Sequence, residues 1–191
     1  MSDTPDPPTV TPDVRSWITR FFDAIGWTEQ IADDIAQGQE NAAAEAAFDA
    51  IADIRANQRI TDSRGGRGTV SITEVNGQTY VGVNSTNFTE EDRALAQSWE
   101  NALEIPAGPA GRFARQVLYH AEAHTLMQIH RDSGGQMPAE MTIYVDRIAC
   151  SACQNTLPDL VRVMGIETLT VRLDDGRIAT VTRDGFFGDW Q

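Results

Sequence analysis

Lysine is absent from this 191-residue chain, and its fifteen cationic side chains are all arginine. Beside abundant alanine this is the composition of a GC-rich genome, and arginine's planar fork serves any phosphate contact that lysine would otherwise make. Cysteine occurs only at Cys150 and Cys153, which excludes a disulfide framework and fits a reducing compartment. No stretch approaches eighteen apolar residues, which excludes a membrane-spanning helix. The first twelve residues, acidic and proline-rich, lack the basic and apolar regions of a secretory signal peptide. Positive charge is also scarce: 28 acids against 15 arginines leave a net charge of −13, an awkward balance for a partner made of phosphates. The excess is uneven, with eleven acids and four arginines in residues 1–60 against seventeen and eleven in residues 61–191. A local basic groove in the longer part therefore stays open.

The length suits one domain with an appendage. Residues 1–12 read as a disordered lead, 13–63 as an acidic helical extension and 64–191 as the main domain. Trp17, Ile18, Phe21, Phe22 and Ile25 make an apolar helical stripe that Gly26 stops. A second stretch, which Thr28 can cap, places Ile31, Ile35, Phe48, Ile51 and Ile54 at near-helical spacing. Arg64-Gly-Gly-Arg-Gly68 is a flexible break. Strands Thr69 to Glu74 and Thr79 to Val83 flank Asn76-Gly77, the strongest short hairpin signal. Thr89-x-x-Asp92 opens a helix to about Leu103 in a capping-box pattern, and Pro106 to Gly111 forms a loop. A further helix ends at Ser133-Gly-Gly135. Met141 to Arg147 is then a buried strand, Cys150 to Met164 a helix and Glu167 to Leu173 a strand. Asp175-Gly176 turns the chain back into Ile178 to Thr182. A two-residue turn joins only antiparallel neighbours, because a parallel crossover needs a dozen residues or more. The expected fold is α/β: three α/β/α layers around a mixed five-stranded sheet that ends in an antiparallel hairpin.

Chemistry concentrates in His120-Ala-Glu122 and Cys150-Ser-Ala-Cys153. One imidazole and two thiolates make three zinc ligands, the number that a catalytic site uses, and Glu122 is a carboxylate free to move protons. The i, i+3 spacing puts both cysteines on one helix face, and a helix beginning near Cys150 favours anionic sulfur at its N-terminus. Two blander readings stand beside this. Cys-x-x-Cys after the apolar strand Met141 to Val145 also suits a thioredoxin-like redox pair. A structural zinc site with His124 or His130 as fourth ligand is the other. His120 and His124 share the spacing of a zincin, but the glutamate is misplaced for His-Glu-x-x-His.

The order hairpin, helix, His-Ala-Glu helix, strand, Cys-x-x-Cys helix, strand, strand resembles the zinc-dependent cytidine deaminase superfamily over roughly residues 66–184. The resemblance implies Zn2+ on His120, Cys150 and Cys153, with Glu122 as the catalytic proton shuttle, and it implies that Asn84 contacts substrate. The terminal antiparallel hairpin, Cys150-Ser-Ala-Cys-Gln-Asn-Thr-Leu-Pro158 and Leu169-Thr-Val-Arg-Leu-Asp-Asp-Gly176 are similar to the bacterial polymorphic-toxin deaminases that act on DNA cytosine. Ala149 stands where free-cytidine enzymes usually have proline, and Asn84 lies a whole helix and loop before His120. Both departures favour the toxin branch. The function expected from this likeness is hydrolysis of cytosine to uracil in nucleic acid, DNA first, by a toxin or effector domain that works in the cytoplasm of a target cell. Avoidance of lysine by a toxin that must survive in a foreign cell is a sharper reading of the composition. Arg112, Arg115 and Arg147 are the candidate phosphate contacts, while Phe88, Phe113 and Tyr119 could stack on a base. A cognate immunity protein is the partner expected beside nucleic acid, and no membrane is expected. A free cytidine or nucleoside deaminase and a non-catalytic zinc-stabilised module, its site closed by His124, are the alternatives.

Overall fold

Asn76 and Gly77 both hold positive φ, 54° and 77°, the pair of left-handed residues that a tight two-residue hairpin needs. They join β1 (Val70–Val75) to β2 (Gln78–Val83). The chain is described here by a computed structural model over residues 27–62 and 65–188. The expected lead at 1–12, the apolar stripe at 17–25 and Arg64 lie outside the described residues. The remaining strands are β3 (Glu140–Val145), β4 (Thr168–Leu173), β5 (Ile178–Thr182) and β6 (Gly185–Phe187). They form one sheet in the order β2-β1-β3-β4-β5-β6, parallel between β3 and β4 and antiparallel elsewhere. The α/β class and the antiparallel ending are as expected, but the sheet has six strands, not five. β6, three residues paired to β5, is too short to carry an alternating pattern of its own.

Five α-helices are present among the described residues: α1 (Trp27–Asn57), α2 (Glu90–Ala102), α3 (Arg112–Val117), α4 (Ala121–Asp132) and α5 (Ser151–Met164). The capping box of α2 forms as the spacing predicts. Thr89 Oγ1 accepts from the Asp92 N–H, and Asp92 accepts from the Thr89 N–H. Packing divides the chain after Ala43, and Ala44–Gln191 is one compact unit. The expected boundary at 63/64 falls inside that unit.

The pleat sorts the core. Met141, Ile143 and Val145 on β3, Leu169, Val171 and Leu173 on β4, and Ala179 and Val181 on β5 share one buried cluster with residues of all four helices α2 to α5. Residues of opposite parity in the hairpin, Val70 and Ile72, join a second cluster with Ile51 and Ile60, against which Phe48 and Ile54 pack. Of the apolar positions expected along α1, those from Phe48 onward are thus core, whereas Ile35 is 57% exposed.

Candidate active site

Helices α4 and α5 each begin with a ligand-type residue at the cap. His120 caps α4 in extended backbone (φ −102°, ψ 157°) without a side-chain capping bond, so its ring is free to reach elsewhere. Cys150 caps α5, and its sulfur accepts from the Cys153 N–H. His120 Nδ1 lies 3.1 Å from Cys153 Sγ and 3.6 Å from Cys150 Sγ, and the two sulfurs are 3.6 Å apart. A tetrahedral zinc with Zn–S of about 2.3 Å and Zn–N of about 2.0–2.1 Å requires S···S and N···S edges of about 3.5–3.8 Å. Two of the three edges, each 3.6 Å, match that ion, and the His120–Cys153 edge of 3.1 Å must open slightly to admit it. These three donors are also the one group of three or more His, Cys, Asp or Glu side chains arranged to hold a metal among the described residues. Cys153 is buried and Cys150 exposed, so the cluster sits at the surface.

Electrostatics within the cluster are strongly coupled. The Cys150 thiol is pulled down to about 4, first by the hydrogen bond it shares with Cys153 and then by that with His120. Cys153 is driven up, by the Cys150 bond first and by burial second. Burial presses His120 down, yet its bond to Cys150 and the nearby negative charges carry it above the usual imidazole value. Glu122, in the first turn of α4, is only 3% exposed. Burial raises its carboxyl well clear of an ordinary glutamate, against the pull of its own backbone N–H, His120 and a hydrogen bond to Cys153. The shift is in the direction that suits a general acid–base.

The three histidines have three fates. His124 is buried, accepting the Val83 N–H at Nδ1 and meeting Asp92 Oδ1 at 3.0 Å through Nε2, with the Phe88 ring tilted against it at 4.3 Å. His130 packs edge-on against Trp99. Neither joins the metal cluster, so the fourth ligand that a closed structural site would need does not come from them.

His124 ties the end of β2 and the start of α2 to the helix bearing Glu122, and burial lowers its pKa against the pull of Asp92. The folded state therefore binds this proton more weakly than the unfolded chain does. The stability it supports is present above the unfolded value of about 6.5 and is lost as pH falls through that value toward the folded one. Urea denaturation at pH 7.5 and 5.5 is expected to show the parent losing stability that His124→Gln does not lose, by at most about 1.4 kcal/mol per pH unit. Equal losses in both proteins would refute the assignment.

What seats α4 on the sheet was missed from the sequence. Ser71 Oγ donates to the Ala121 carbonyl at 2.8 Å and lies 2.6 Å from Thr125 Oγ1. Opposite Ser71 in the register stands Gly82, where an added Cβ would lie 2.1 Å from the Ala121 oxygen, 2.3 Å from Thr125 Oγ1 and 2.5 Å from Ser71 Oγ. Glycine in a strand interior is the signal that marks such a close approach.

The other expected site residues are dispersed. Asn84 Oδ1 accepts the Thr69 N–H, and the next residue, Ser85, donates its N–H to the Tyr119 carbonyl beside His120. Arg115 is spent on the carbonyls of Pro106 and Gly108, pinning that loop. Arg147 donates to the Arg67 carbonyl. Arg112 is exposed and pairs with nothing among the described residues. Phe88 is core, Tyr119 reaches Glu100 through its hydroxyl at 3.3 Å, and Phe113 is 69% exposed on α3. No helix among the described residues is long and apolar enough to cross a membrane.

Comparison with known families places residues 35–189 within a family model, that of the MafB19-like deaminase. No curated protein and no solved structure matches the chain.

Proposed function

The chain belongs to the MafB19-like deaminase family, a polymorphic-toxin-associated branch of the cytidine deaminase superfamily, and from that premise we propose that it hydrolyses cytosine to uracil in nucleic acid, DNA first, as the effector domain of a bacterial toxin. The observation that carries the reading is the buried Glu122, two residues from His120, beside a His120–Cys150–Cys153 cluster whose donor atoms lie within 3.1–3.6 Å of one another. When bound there, zinc supplies the Lewis acid that makes water a nucleophile near neutral pH. Glu122 accepts the proton of the attacking water and delivers it to the ring nitrogen, and a further transfer lets the exocyclic amine leave as ammonia. Water and cytosine become uracil and ammonia, with no other reactant. His120 is held because Ser71 Oγ donates to the Ala121 carbonyl at the first turn of α4, and Cys150 because its sulfur caps α5 by accepting the Cys153 N–H. As a toxin domain, the protein would act in the cytoplasm of a target cell and be restrained by a cognate immunity protein in the cell that makes it.

Zinc-loaded protein is expected to leave uracil in single- or double-stranded DNA oligonucleotides, and the Glu122→Gln protein to leave at least ~10²-fold less. Turnover of cytidine with neither DNA substrate would replace this reading by nucleoside metabolism, which the net charge of −13 favours because a small substrate needs no basic groove. Stoichiometric zinc without turnover of DNA, RNA or nucleoside would leave a zinc-stabilised interaction module.

A further inference from the structure

Outside the zinc cluster, the strongest concentration of chemistry is a shallow open hollow of about 360 Å³ between the end of α1 and the turn that precedes β1. In a chain with fifteen arginines and a net charge of −13, three of them, Arg55, Arg59 and Arg67, line this one hollow. Arg147 is at its edge, held by its bond to the Arg67 carbonyl. Two acids accompany them, and both are engaged. Asp146 is buried under Arg55, with Arg67 at 3.6 Å, and it accepts the Val70 N–H. Asp62 accepts the Gly66 N–H. Asp146 thus neutralises Arg55, while the exposed guanidinium of Arg59 has no partner among the described residues, and the Arg67 side chain is 63% exposed.

The segment bearing these arginines is tied to both halves of the candidate active site. The Thr61 carbonyl accepts from Thr86 Oγ1 and Asn87 Nδ2, just beyond the Ser85 N–H that binds the Tyr119 carbonyl next to His120. On the other side the Asp146 N–H donates to the Val70 carbonyl, four residues before Cys150. The hollow therefore adjoins the end of the sheet where β3 delivers the cysteine helix. We propose that Arg59 and Arg67, backed by Arg55 and flanked by Arg147, form a phosphate-binding site that grips the backbone of a nucleic-acid strand whose target base enters the zinc site. The proposal rests on the nucleic-acid reading given above. Arginine forks match phosphate oxygens in pairs, and such contacts hold register without reading sequence. A local cationic cluster also answers the difficulty that the net charge poses, because phosphate is held by the charges near it and not by the sum over the chain.

The test is binding of a fluorescent thymidine-only oligonucleotide of about a dozen nucleotides to zinc-loaded protein carrying Glu122→Gln, followed by anisotropy across a salt series. Arg59→Glu with Arg67→Glu is expected to weaken binding by ~10–100-fold at 0.1 M salt and to reduce the slope of log K against log salt by about 1–2. Zinc content and thermal midpoint report that the protein is intact. Arg59→Glu alone, at a residue without a partner among the described residues, keeps the test if the double variant fails to fold. The control is Arg162→Glu with Arg183→Glu, the same change of charge at the opposite end of the sheet, where β4 begins and β5 ends. Equal weakening by the control pair, or an unchanged affinity and slope in Arg59→Glu/Arg67→Glu, overturns the site while leaving nucleic acid as substrate. Failure of the parent to bind any oligonucleotide, with turnover of free cytidine by the protein that retains Glu122, overturns the nucleic-acid reading itself and the site with it.

Discussion

Glu122→Gln is expected to lower deamination by ~10²–10⁴-fold while the protein keeps its zinc and its fold. The amide preserves the volume of a side chain that is 3% exposed, but it can no longer take a proton from water or return one. The same substitution carries a stability signature of known sign. Burial raises the folded pKa of Glu122 above the ordinary value of 4.5, so the folded state holds this proton more tightly than the unfolded chain. Ionising the buried carboxyl then costs stability, a cost absent at acid pH that grows as pH rises through and beyond 4.5 toward the folded value. In metal-free protein, Glu122→Gln should match the parent near pH 4 and become progressively more stable than it toward pH 7. Chemical denaturation at several pH values reads the difference directly. A parent that gains on the variant with rising pH would show the carboxylate to be favourably paired, and the proton-holding role would then fail.

Gly82→Ala is expected to destabilise the protein by about 1–3 kcal/mol and to impair turnover together with metal retention. The new methyl would meet the Ala121 carbonyl oxygen at 2.1 Å, and that atom belongs to the residue between His120 and Glu122. β2 and the first turn of α4 must move apart, carrying His120 and Glu122 with them. Removing the neighbouring hydroxyls offers no relief: Ser71→Ala and Thr125→Ala eliminate the contacts at 2.5 and 2.3 Å but leave the backbone oxygen in place. The triple variant should therefore stay as impaired as Gly82→Ala. Thermal denaturation and zinc stoichiometry check both statements, and full recovery in the triple variant would locate the clash in the side chains instead.

The chemistry of the site was legible before any coordinates, because ligand identity and local spacing carry it. Cys150 lies three residues before Cys153, and a helix start places such a pair on one face whatever surrounds it, while His120 and Glu122 stand at the cap and first turn of one helix. The hairpin at Asn76-Gly77, the capping box at Thr89 and the antiparallel return at Asp175-Gly176 were legible for the same reason, each being a decision of a few adjacent residues. β6 was not, since three residues become a strand only when β5 offers them an edge. Nor could sequence sort the histidines: His124 and His130 have the chemistry of ligands, and only the position of Val83, Asp92 and Trp99 around them directs them elsewhere. The arginines follow the same rule, because a guanidinium serves a phosphate only if no carbonyl or carboxylate of its own fold claims it. Arg115 is claimed by Pro106 and Gly108, whereas Arg59 is not claimed at all among the described residues. The sequence by itself thus determined the hairpins, the capped start of α2 and which side chains are the candidates for three donors and a proton carrier. The tertiary structure alone decided that the donors meet at 3.1–3.6 Å and which cations remain for a partner, because both depend on contacts between segments tens of residues apart.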